Sequence, residues 1–257
     1  MKLLLIELKK LFRLSSLSFS LIFLVLFALT WAFAPDDGIF GIYQFYINSA
    51  YQVPALTLDT AMPFLLPLLV AIVGASLLGV EYSLSTLPTV LLRPVSRSQW
   101  MLSKMLVALI FPFLLLSVLL ICSLAIGFPH GYGSFIGGTG FGEGGLVGVG
   151  RLSAARAILE LVQAYAMAAL TLVPISLIAL FFTVMFKRTS SGALACITVL
   201  LFMRHLVIFP QLDPFLLSSY LDAYLQNSIS AVYILSLILY SLLAAILALL
   251  IFERQDI

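Results

Sequence analysis

The charged and polar side chains that could do chemistry are few in this sequence, and no catalytic constellation forms among them. A zinc hydrolase would show HExxH, a serine hydrolase GxSxG, and a nucleotide-binding P-loop GxxxxGK[ST]; none occurs. His130 and His205 have no Cys or His at ligand spacing, so no metal site is assigned. Cys122 and Cys196 lie inside apolar runs, where a thiol behaves as a small hydrophobe. An intramembrane aspartyl site needs two carboxylates at membrane depth, yet Asp59, Asp213 and Asp222 fall at the boundaries of apolar runs. Gly140, Gly142 and Gly145 match GxGxxG, but that fingerprint works only between a strand and a helix, and here it lies in a low-complexity loop. No catalytic residue is assigned, and the chain shows no means of its own to hydrolyse ATP.

Two groups of polar residues remain. The first is Gly79 to Lys104, GVEYSLSTLPTVLLRPVSRSQWMLSK, where Arg93, Arg97 and Lys104 follow Glu81. A short amphipathic helix broken by Pro88 and Pro94 would lie flat beneath a membrane and present Arg93 and Arg97 to a partner. The plainer reading is a positive loop that only fixes topology. The second group centres on Arg204, followed by His205. A cation at the bilayer centre costs at least ~2.5–3.5 kcal/mol. Arg204 lies roughly 20 Å along its span, near the outer end. It either snorkels to the interface or lines a pathway, paired with Asp59 or Asp213. Gln163, Asn227 and Gln211 are weaker candidates for the same cavity.

The elements that would position these residues are apolar. The chain is 63% hydrophobic and 9% charged, against roughly 25% charged in a soluble domain. An all-α membrane protein with six transmembrane helices is expected. Residues 1–14 (MKLLLIELKKLFRL) are amphipathic: Leu4, Leu5, Leu8, Leu11 and Phe12 fall on one face, and Lys2, Lys9, Lys10 and Arg13 on the other. This reads as a basic helix lying on the membrane surface, or as the foot of the next span. Six spans of bilayer length follow in residues 15–257, at about 15–34, 59–80, 105–128, 157–186, 191–209 and 229–252. A cleaved signal peptide is disfavoured because the first apolar run is longer than a typical h-region. Pro63 and Pro67 are expected to kink the second span. Arg156 and Glu160 are four apart and can pair along a helix. Pro129 to Gly150, with ten glycines in 22 residues, reads as a flexible external loop.

Lysine and arginine counts give the orientation. Lys2, Lys9, Lys10, Arg13, Arg93, Arg97, Lys104, Lys187, Arg188 and Arg254 flank one side, ten of the 13; Arg151 and Arg156 flank the other, and Arg204 lies within a span. Both termini are therefore expected in the cytoplasm.

The segment 81–104 resembles the signature of the type 2 ABC-transporter permease family, the membrane subunits of ATP-driven exporters. That family shows a glutamate ending the second span, a Gly-Thr, a leucine pair, Pro-Val-Ser-Arg and a lysine opening the third span. The matching residues are Glu81, Thr86, Leu91, Leu92, Pro94, Val95, Ser96, Arg97 and Lys104, with Ser85 where glycine is usual. The tail FERQDI is similar to the family's closing Phe, basic residue and Asp, at Phe252, Arg254 and Asp256, and the initial basic helix to its connecting helix. The Gly-rich loop has no counterpart in that pattern.

The resemblance implies a cytoplasmic coupling segment at 81–104, with Glu81, Thr86, Arg93, Pro94, Arg97 and Lys104 serving a separate ATPase. Two such ABC ATPase subunits would bind ATP and Mg, and none of that chemistry would lie on this chain. A second copy or a related permease would complete the transporter, in a prokaryotic cytoplasmic membrane. Substrate would pass between the second and fifth spans of the two halves as they rock apart. Asp59, Gln163, Arg204 and His205 are the possible pathway residues. The mostly apolar spans favour a lipid, hydrophobic drug or peptide as substrate, with membrane lipid rather than nucleic acid as partner. The alternatives are a non-transporting platform of a secretion, motility or maturation machine, and an intramembrane enzyme, which lacks paired catalytic groups.

Overall fold

The structure, a computed structural model, describes residues 2–32, 47–85, 96–141, 145, 150–209, 211–225 and 231–255. It is a helical bundle. The helices are α1 (Lys2–Leu11), α2 (Ser15–Ala32), α3 (Gln52–Ala61), α4 (Leu65–Ser83), α5 (Arg97–Ile126), α6 (Ala154–Phe186), α7 (Thr189–Leu206) and α8 (Ala231–Arg254). Among the described residues, α4 to α8 are each long and apolar enough to cross a membrane, and α1 with α2 pass the same test only when taken together, bent by 53° at the break between them. Successive spans run in opposite directions. Lys9, Lys10, Arg13, Arg97, Lys104, Lys187, Arg188 and Arg254 therefore gather at one end, called here the basic end.

The second span departs from a single helix over 59–80. Helix α3 ends at Ala61, Phe64 leaves the helical region (φ −146°, ψ −49°), and α4 begins at Leu65. Pro63 and Pro67 account for the break, since neither has the N–H that would bond four residues back, and each ring crowds the carbonyl there. The third span begins earlier than expected, at Arg97. Ser96 caps it with extended backbone (ψ 148°), its Oγ accepting from Gln99 N at 3.2 Å.

Helix α6 is the centre of the bundle, packed against α4, α5, α7 and α8. Its buried face is rich in small residues, including Ala164, Ala168, Ala169 and Ala179, which let apolar helices approach closely. Serine does a second job here. Pro112, inside α5, leaves the Ala108 carbonyl without its helical donor. Ser176 of α6 supplies one, donating to Ala108 O at 2.6 Å. Between α4 and α7 the approach is closer still: a Cβ on Gly79 would overlap Thr189 Oγ1 and stand 2.7 Å from its Cα. The outer faces of α2 and α8 leave Phe19, Ile22, Leu26, Leu235, Leu239 and Leu242 exposed, as lipid-facing helices do.

The described part of the Gly-rich stretch, 129–141 with 145 and 150, packs against the helices. Strands β1 (Phe135–Ile136) and β2 (Arg151–Leu152) pair antiparallel. Phe135, Thr139 and Phe141 are buried. Gln52 Nε2 donates to Gly138 O at 3.1 Å, and Thr139 Oγ1 donates to Glu160 Oε2 at 2.7 Å. Arg156 pairs with the other oxygen of Glu160 at 3.2 Å, the expected spacing of four. This part of the stretch covers the end of the bundle opposite the basic one.

Candidate functional site

The cap at Ser96 sets the phase of α5, and two turns later that phase carries Lys104 into the bundle against α1 and α4. Its ammonium donates to Glu7 Oε2 at 2.6 Å, Glu81 Oε1 at 2.8 Å and the Leu77 carbonyl at 2.8 Å. All three ammonium hydrogens are thereby used. Lys10 closes the network from the surface side, 2.8 Å from Glu7 Oε1 and 2.9 Å from Glu81 Oε1. Among the described residues, two lysines and two glutamates balance in charge. Lys104 is 2% exposed, Glu7 4% and Glu81 9%. Charges this deep persist only when paired and hydrogen-bonded. Burial works to lower the pKa of Lys10, and the hydrogen bonds and charges of Glu7 and Glu81 outweigh it, so its pKa is raised. Lys104 also stands 5.3 Å from the ring centroid of Trp100, within the range where a cation is drawn to an aromatic face.

Glu81 and Lys104, read in the sequence as two ends of a coupling segment, are thus in direct contact inside the bundle. Arg97 stays exposed and donates from Nη1 to the Gln255 carbonyl at 2.9 Å. Thr86, Arg93 and Pro94 lie outside the described residues, as do Pro88, Leu91, Leu92, Val95 and Asp256. Glu7 went unnoticed in the sequence. The signal was present: at 100° per residue it falls beside Leu4 and Leu11, an acid on the apolar face of a basic helix.

The second group lies toward the opposite end. Arg204 donates to the Pro63 carbonyl at 2.7 Å. That carbonyl is the one that Pro67 cannot serve, so the guanidinium closes the gap left by the helix break. Asp59 accepts from the Tyr224 hydroxyl at 3.1 Å, and Asp213 from Ser219 Oγ at 2.6 Å. Arg204 therefore takes neither aspartate as an ion-pair partner among the described residues. Asp222, in the turns preceding α8, has its pKa raised by burial, with Arg204 pulling it down and Asp59 pushing it up. A small apolar cavity lined by Pro63, Pro67, Leu200, Leu201, Arg204 and Leu221 sits between α4 and α7. Gln163 and His205 are exposed on α6 and α7; neither is drawn into this group.

The network can join α1, α4 and α5 into one unit at the basic end, and it offers no group poised for bond breaking. Residues 3–205, from α1 through α7, match the family model for "ABC-2 family transporter protein". No curated protein matches the sequence.

Proposed function

The chain belongs to the ABC-2 transporter family, a family of membrane permeases that work with an ABC ATPase subunit, and on that premise we propose that it is the permease of an exporter for a hydrophobic or amphipathic substrate. ATP hydrolysis on the separate subunit supplies the free energy. The basic end is cytoplasmic by the positive-inside rule, and the ATPase docks under the segment 81–104. Helix α1 lies along the membrane surface, with Leu5, Ile6 and Phe12 exposed beside Lys9 and Arg13. Two such ATPase subunits serve two permeases, this chain paired with a second copy or a relative. Lipid, drug or peptide then passes between the α3–α4 and α7 regions of the two halves, with Arg204 and Asp59 near its exit.

The observation that carries this reading is the buried contact of Glu7, Glu81 and Lys104. It links the surface helix to the spans on either side of segment 86–95. A displacement of that segment is then felt by α1, α4 and α5 at once, which suits rigid-body rocking better than local bending. Arg97 is the residue to test, being exposed and adjacent to the segment. Arg97→Glu is expected to leave the spans folded while uncoupling ATP hydrolysis from transport in reconstituted vesicles. Full coupled activity in that variant would contradict a docking role. Glu81 cannot serve the same test, because any change there also breaks a buried ion pair.

A further inference from the structure

Gln255 stands one residue beyond α8 and bonds the ends of three other helices. Its Oε1 accepts from the Tyr82 hydroxyl at 2.9 Å, in the last turn of α4. Its Nε2 donates to the Val184 carbonyl at 2.8 Å, in the last turn of α6. Its own carbonyl accepts from Arg97, the first residue of α5. Just before it, Phe252 is fully buried and stacks on Trp100 of α5, ring centroids 5.3 Å apart. Tyr82 and Arg97 stand on either side of segment 86–95. An amide suits this position because it donates and accepts without charge. A carboxylate could not donate to Val184, and an ammonium could not accept from Tyr82.

We propose that Gln255 is a positioning residue for coupling: it ties the basic ends of α4, α5 and α6 to α8, so that displacement at either root of segment 86–95 moves four spans together. The proposal rests on the permease reading. Without the tie, motion at one root is spent on the end of a single helix, and the far end of the bundle receives less of it. The buried ion network does not substitute for it, since among the described residues that network joins α1, α4 and α5 and not α6 or α8.

The test uses the full chain with its ATPase in lipid nanodiscs, with Cys122→Ser, Cys196→Ala and Leu201→Cys introduced. Leu201 is exposed toward the far end of α7. Its labelling rate with a charged maleimide is measured before and after ATP and vanadate trap the ATPase. Trapping is expected to change that rate severalfold in the parent chain. With Gln255→Ala the complex still assembles and hydrolyses ATP, but the change in labelling is lost. Tyr82→Phe, which keeps the ring and removes one bond, reduces it in the same direction. The double variant is no worse than Gln255→Ala alone, because both act through one link. A full labelling response in Gln255→Ala overturns the proposal; if that variant does not fold, a full response in Tyr82→Phe does so. A parent chain that binds no ATPase, or whose labelling ignores trapping, overturns the permease reading and the clamp with it.

Discussion

A lysine ammonium two turns inside α5 survives away from water because three acceptors surround it. Removing one member of a buried ion network strands the others, and such losses run to about 3–5 kcal/mol. Lys104→Ala is therefore expected to lower stability by that order in a detergent-solubilised thermal or denaturant melt. Lys10, whose side chain is 43% exposed, is screened by solvent. Lys10→Ala should change stability by no more than about 1 kcal/mol. Equal effects of the two would mean that Lys104 is not buried as described. The pH dependence follows from the same contacts. The folded-state pKa of Lys10 lies above its ordinary 10.5, so its contribution is fully present below that value and is lost as pH rises through the higher one. No loss of stability on its account is expected near neutral pH. Of the residues in this network, Glu81 and Lys104 were legible as a spaced pair. Glu7 and Lys10 were not joined to them, because the contact spans 71 residues between Lys10 and Glu81 and no local periodicity reports it.

At the scale of elements, the apolar runs announced the spans, since length and hydropathy alone decide whether a helix can cross a bilayer. Their joints were less legible. Pro63 and Pro67 signalled a kink in the second span, but not that Arg204 reaches back from α7 to the Pro63 carbonyl left bare by it. A single sequence does not show that contact. The same logic links Pro112 and Ser176. Ser176→Ala should cost about 1–3 kcal/mol, the penalty of leaving the Ala108 carbonyl without a donor in the bundle interior. Pro112→Ala restores the helical N–H, so the double variant should recover part of that loss. A strictly additive pair of effects in denaturant titrations would deny the link. The α4–α7 contact offers a steric test. Gly79→Leu puts a side chain where Thr189 already stands and should sharply reduce the yield of folded protein. Gly133→Ala, where a new Cβ meets nothing within 4 Å, should leave yield unchanged. Size-exclusion profiles from matched expressions compare them.

For the whole molecule, the polar features divide by end. The basic end holds the ion network, Arg97 and the Gln255 contacts. The other end holds the helix break, Arg204 and a cover made partly from the Gly-rich stretch. Composition made the class of the molecule plain, and the resemblance carried by the residues from Glu81 to Lys104 pointed to its family. The packing of the described part of the Gly-rich cover was hidden, because ten glycines in 22 residues suggest a loop without packing. It is the few other residues, Phe135, Thr139 and Phe141, that hold it against the helices. The account as a whole depends on an energy source outside the chain. The most direct measurement is purification of the full chain in mild detergent, with mass spectrometry of what accompanies it and an ATPase assay of the product. The account predicts a stoichiometric P-loop ATPase that hydrolyses ATP in the complex. A chain that purifies folded, with no such ATPase under conditions that hold comparable complexes together, would contradict it.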